Sequence, residues 1–141
     1  MDLNNLFFMT NEKLIKLAAS VTKSRKLGKY LAGDVGCALV SQKGRIYTGV
    51  CVETMSSMGF CAEHNAIGDM ITAGESRIKK IIAVWKDKKN KIYILHPCGR
   101  CREFMRQINK QNMETEVILG KNRTVKLKEL LPYKDDFKLY G

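Results

Sequence analysis

The chain has no apolar run long enough to cross a bilayer. The longest early one, "LFFM" at 6–9, is also too short for the core of a secretory signal. No lipidation pattern appears at either end. Proline occurs twice and tryptophan once, and no Pro/Ser/Gly-rich linker, repeat or low-complexity tract interrupts the 141 residues. Nothing therefore marks an internal boundary, and 1–141 reads as a single domain located in the cytoplasm. Five cysteines without a secretory signal, an odd count, argue against a disulfide framework and for reduced thiols or metal ligands. What is present in quantity, 45% hydrophobic and 28% charged residues, is the balance of an ordinary globular protein.

Acidic residues are the minority charge, 14 against 25 basic, which leaves a net charge of +11. Such a balance invites a nucleic-acid partner. The basic residues are scattered, however, through Lys79 and Lys80, "KDKKNK" at 86–91, and Lys121, Arg123, Lys126 and Lys128. No aromatic platform for bases is interleaved with them, so a solvated lysine-rich surface is expected and a polynucleotide partner is not.

Thr10 is a candidate N-cap. Leu14, Leu17, Ala18 and Val21 follow at helical spacing, predicting a helix that ends near Gly28. "VGCALV" (35–40) and "IYTGVCV" (46–52) predict a hairpin turning at Gly44, with Cys37 a buried inert thiol. A second helix is expected from near Cys61 to Gly74, carrying Ala62, Ala66, Ile67 and Met70 inward. Two strands (80–86 and 91–96), a helix from Cys98 to about Ile108, further β material at 115–120 and 124–127, and a short helix ended by Pro132 complete a layered α/β arrangement.

The chemistry gathers at two of these helix starts. Cys98 and Cys101 have C-x-x-C spacing, and Cys61 opens the other helix. Three thiolates with one position left over make a catalytic zinc site, and helix N-termini stabilise thiolates. Pro97 fits a helix entry because it has no N–H to lose. His64 and His96 lie close in sequence, so a closed site of three cysteines and a histidine is the alternative. Glu63, two residues after a ligand, has no task in a closed site, but it is placed to move protons between water and a leaving group. C-x-E, followed 35 residues after Glu63 by P-C-x-x-C, is a specific pattern of zinc deaminases.

"CAEHNAI" and "PCGRCRE" resemble the zinc motifs of the cytidine deaminase family, with blasticidin S deaminase a close relative. "GRIYTGVCVE" resembles its hairpin and "LKELLP" its C-terminal segment. The resemblance implies a three-layer α/β/α sandwich around a mixed five-stranded sheet, usually a homotetramer. It implies one Zn²⁺ per subunit held by Cys61, Cys98 and Cys101, with Glu63 shuttling protons as ammonia leaves a free nucleoside. Glu53 would hold a ribose hydroxyl, with Ala62, Cys51 and Phe137 as further substrate contacts.

Several positions depart from the family pattern. Cys51 stands where an asparagine is usual, and a thiol replaces an amide poorly in hydrogen bonding. Gly33 stands where an aromatic residue would wall the base pocket. Tyr133 or Phe137 would have to supply an aromatic near the C-terminus. Glu103 replaces a glutamine and is expected to face outward. His64 follows the catalytic glutamate where three-cysteine members carry arginine. Zinc with three thiolates and one hydroxide has a formal charge of about −2, so protonated His64, or Arg100 and Arg102, would have to offset it. The expected activity is conversion of cytidine and deoxycytidine to their uridine counterparts in pyrimidine salvage. The alternative is a deaminase of aminonucleoside antibiotics or modified nucleosides.

Overall fold

The computed structural model describes residues 9–133 and 138–140. Helix α1 (Asn11–Val21) starts as expected, with Thr10 Oγ1 accepting from the backbone N–H of Lys13 at 3.2 Å. That bond satisfies one of the N–H groups a helix start leaves without a partner. The helix stops earlier than its periodicity suggests. The Thr22 hydroxyl donates to the Ala18 carbonyl and its N–H to that of Ala19, which closes the last turn. The residues expected to prolong the helix instead form strand β1 (Arg25–Leu27), and Gly28, at φ +62°, turns the chain into β2 (Tyr30–Ser41). All three β1 residues are exposed, so ladder pairing rather than burial holds them, and no hydrophobic pattern announced them.

β2 and β3 (Ile46–Glu53) form the expected antiparallel hairpin. β2 pairs on its other side with β4 (Ile78–Lys86), which in turn pairs antiparallel with β5 (Ile92–Leu95). β6 (Glu116–Gly120) joins β4 in parallel through Lys80↔Glu116 and Ile81↔Val117, and β7 (Arg123–Lys126) closes the sheet antiparallel to β6. Leu31 of β2 faces both Lys26 of β1 and Glu53 of β3, so β1 shares a lane with β4. Ala83 of β4 faces both Cys37 of β2 and Leu95 of β5, so β5 shares a lane with β6. The mixed sheet thus has seven strands rather than the expected five. They lie in five lanes, β3, β2, β1 with β4, β5 with β6, and β7.

Alternation along β2 assigns the two faces. Ala38 and Val40 pack with Leu14 and Ala18 of α1 and with Ile82, Val84 and Ile118. Cys37 and Leu39 point the other way, into a cluster with α2 (Ala62–Thr72) and α3 (Gly99–Ile108) that includes Ala66, Ile67, Met70 and Met105. Gly49 lets α2 lie close against β3, since a Cβ there would stand 2.4 Å from the backbone nitrogen of Ala66. Below the sheet's C-terminal lanes, a 3₁₀ turn (Lys110–Glu114) and the short helix α4 (Leu127–Leu130) complete the described fold. Asn112, fully buried, fastens this region: its side chain accepts from Ile78 N–H at 2.8 Å and donates to the carbonyls of Ser76 and Met105 at 2.9 Å.

Candidate active site and metal centre

The start of α2 is fixed before the helix begins. Phe60 bridges to Val52 of β3 by two backbone hydrogen bonds of 3.0 Å, and Asn65 Nδ2 donates to the Val50 carbonyl at 3.1 Å. The connecting loop needs two consecutive left-handed serines, Ser56 and Ser57, at φ 58° and 56°. Cys61 then takes the N-cap position of α2, and Cys98, after buried Pro97, takes that of α3; neither side chain caps its helix. Two helices start side by side with sulfur where a capping oxygen would ordinarily be.

The three sulfurs converge. Cys61 Sγ lies 3.8 Å from Cys98 Sγ, which lies 3.4 Å from Cys101 Sγ. Thiolates at about 2.3 Å in a tetrahedron stand roughly 3.8 Å apart, so the trio fits zinc. His64 Nδ1 is 3.4 Å from Cys101 Sγ, and its ring stacks on Phe104 at 4.4 Å and 6°. A fourth ligand would stand within about 3.5 Å of all three sulfurs. His64 groups with Cys61 and Cys101 but not with Cys98, so it is better placed to bond a sulfur than to close the tetrahedron. Burial and the charge of Arg100 push His64 below the usual histidine range, which favours the neutral ring over the protonated one expected. Arg102 is engaged elsewhere, donating to the carbonyls of Pro97 and Leu130 at 2.7 and 3.2 Å.

Burial raises the Cys101 thiol far above the usual range, and the Glu63 charge adds to it. Burial also lifts Cys61. Cys98 is lowered: burial opposes ionisation there, but the nearby Cys101 backbone N–H and the neighbouring thiols outweigh it. Glu63 is 6% exposed, and burial pushes its carboxyl up despite hydrogen bonds from its own N–H and from Cys101. A carboxylate raised in this way takes and returns protons closer to neutral pH.

These groups line a cavity of about 410 Å³. Glu53, Cys51, Ala62, Glu63, Cys61, Cys98 and Arg100 all border it; Cys101 lies beneath, fully buried. The structure adds Val35, Phe60, Leu95 and His96 to the lining. No motif singled out Phe60, although it directly precedes the first thiol, and Val35 and Leu95 arrive only through strand pairing. Gly33 does not line the cavity; at φ +90° a Cβ would collide with the Lys23 carbonyl at 2.0 Å, so it marks a backbone constraint rather than a missing wall. Tyr133 is 93% exposed, and Phe137 lies outside the described residues. Glu103 pairs with Arg106 at 2.6 Å, outside the cavity lining. Asp34, which no motif singled out, accepts a hydrogen bond from Cys51 Sγ at 3.1 Å.

Residues 9–117 match the family profile described as the cytidine and deoxycytidylate deaminase zinc-binding region. The chain is 33% identical to a probable cytidine deaminase of Dictyostelium discoideum over 68% of its own length; the match spans 65% of that relative. It is 30% identical to the blasticidin-S deaminase of Bacillus cereus, covering 71% of this chain and 75% of that one. The crystal structure of cytidine deaminase from Mycobacterium tuberculosis superposes with a TM-score of 0.70 at 26% identity, covering 89% of this chain and 97% of the other. With that profile matching well over half of its residues, the chain belongs to the cytidine and deoxycytidylate deaminase family.

Proposed function

We propose that the protein is a zinc-dependent hydrolase of free nucleosides, converting cytidine or deoxycytidine and water to the uridine counterpart and ammonia. One observation carries this reading: the buried Glu63 carboxylate borders the same cavity as Cys61 and Cys98. Zinc, when bound, makes a water acidic enough to ionise near pH ~7. Glu63 would take one proton from the water as its oxygen adds to the ring carbon and pass that proton to the ring nitrogen, then take the second from the added hydroxyl and pass it to the amine, which leaves as ammonia. Glu53 accepts a hydroxyl hydrogen bond from the sugar, while Ala62 and Phe60 at the cavity wall shield the reacting ring from bulk water.

The whole chain acts as one domain in this reading. Exposed Leu31, Met55, Met58 and Phe60 are apolar surface that a homotetramer would cover. Nucleoside salvage in the cytoplasm is the role this reading assigns; among the described residues no helix is long and apolar enough to cross a membrane. The replacement of an amide by Cys51 favours a second reading, deamination of an aminonucleoside antibiotic, and the similarity to blasticidin-S deaminase supports it.

The test is a deamination assay on zinc-loaded protein with cytidine, deoxycytidine and blasticidin S, with Glu63→Ala as control. Turnover should fall by at least ~10²-fold in the variant while zinc content and melting temperature hold. Equal rates in the two proteins, or no ammonia from any substrate, would remove the deaminase reading.

A further inference from the structure

The cavity wall around Cys51 and Glu53 has an unusual donor balance. The Cys51 S–H is spent on Asp34, so the sulfur has no proton to offer a substrate. Cys51 is 7% exposed, and burial with the Asp34 bond raises its pKa, against the backbone N–H groups of Val35 and Gly33. It therefore stays a neutral thiol. The carboxylate oxygens of Asp34 and Glu53 and the sulfur all lie within 4.8 Å of one another. Neither carboxylate forms an ion pair among the described residues. Asparagine at position 51 would present an amide with N–H donors. Cysteine backed by aspartate presents acceptors and negative charge instead.

We infer that Asp34, acting through Cys51, sets substrate preference at this end of the cavity, favouring a nucleoside whose sugar carries an ammonium group over one that carries only hydroxyls. The inference rests on the nucleoside-deaminase reading. Asp34 is a positioning residue: it fixes the thiol hydrogen on its own side and adds a second negative charge behind Glu53. An ammonium brings donors and charge together, whereas a phosphate at the same place meets two carboxylates.

The experiment compares zinc-loaded wild type with Asp34→Asn, both checked for zinc content and melting temperature. KM and kcat are measured for cytidine and for its 2′-amino and 3′-amino analogues below the pKa of the amine. Calorimetry measures binding of uridine and the matching amino-uridines, which need no turnover. Wild type should favour one amino analogue by about tenfold in KM with little change in kcat, as one extra charge at close range predicts. Asp34→Asn should reduce that preference to about twofold or less. Raising salt from ~0.05 to ~0.5 M should erode the wild-type preference. An unchanged preference in Asp34→Asn, or no preference in wild type, overturns the inference while cytidine turnover keeps the deaminase reading. Binding preference without ammonia release would sink that reading alone. Absence of any nucleoside binding would sink both.

Discussion

Among the described residues, the three long helices begin with nearly the same backbone and different chemistry. Thr10, Cys61 and Cys98 occupy their N-caps at φ/ψ of −72/157°, −70/156° and −68/167°. Thr10 uses its side-chain oxygen to satisfy a backbone N–H; the two cysteines make no such bond. At α1 the cap serves the helix. At α2 and α3 the helix serves the cap, lending its unpaired N–H groups and dipole to a sulfur that is needed elsewhere. A functional site here is a structural position given over to a ligand.

The strongest way to break the comparison is Cys101→Ala, which removes a ligand without touching either cap. Zinc affinity should drop by orders of magnitude, and the melting temperature should lose its dependence on added zinc. Atomic absorption after dialysis checks the first and calorimetry the second; retention of stoichiometric zinc would mean the trio is not the metal site.

The caps themselves give opposite signs. Thr10→Ala should cost about 1 kcal/mol in urea unfolding and leave zinc content untouched. Cys61→Ser puts a true capping oxygen at α2, so the zinc-free protein should gain up to about 1 kcal/mol while zinc binding weakens. If Cys61→Ser destabilises the zinc-free protein, the sulfur contributes to the helix start after all.

The smallest expected effect sharpens the contrast at the far end of α2. There Glu75, buried, accepts from the Tyr47 hydroxyl at 2.6 Å. Burial alone would raise Glu75, but hydrogen bonds from Tyr47 and Ser41, with the charges of Arg45 and Lys43, hold it below the usual carboxylate range. Tyr47 is raised, first by its bond to Glu75 and then by burial. A depressed carboxylate adds stability above its unfolded pKa that disappears as pH falls through the folded value. A raised phenol adds stability at lower pH that disappears as pH climbs through its folded value. Urea midpoints should therefore fall at both extremes, and Glu75→Gln should flatten the acidic limb. An acidic limb as steep in the variant as in wild type would remove this pair from the account.

How much of this was legible in the sequence follows from range. Thr10 and the 3.6-residue pattern after it located the start of α1, and two strand-like runs flanking Gly44 located the hairpin, because both signals are local. The motif singled out the three thiols, which the fold brings together, and Glu63, because zinc ligation restricts residue type and spacing. The end of α1 was misread because β1 is held by pairing with β2, a partner that exposed Arg25, Lys26 and Leu27 do not reveal. Asp34 was missed for the same reason: it lies 17 residues from Cys51 and meets it only when β2 and β3 pair with a register shift between Ala32 and Gly36. Arg102 could be read as a cation near sulfur, but not as a donor to the Leu130 carbonyl, which lies 28 residues away.

Gly49 has a consequence for how this site tolerates change. It does not border the cavity, and beyond its pairing with Cys37 its contribution is to be small where α2 leans on β3. Alanine scanning assumes that the substitution subtracts; at Gly49 it adds a methyl group against the Ala66 backbone and forces the helix that begins at Cys61 to shift. The most fragile element of the chemistry is thus a vacant volume, one that no inventory of reactive groups would record.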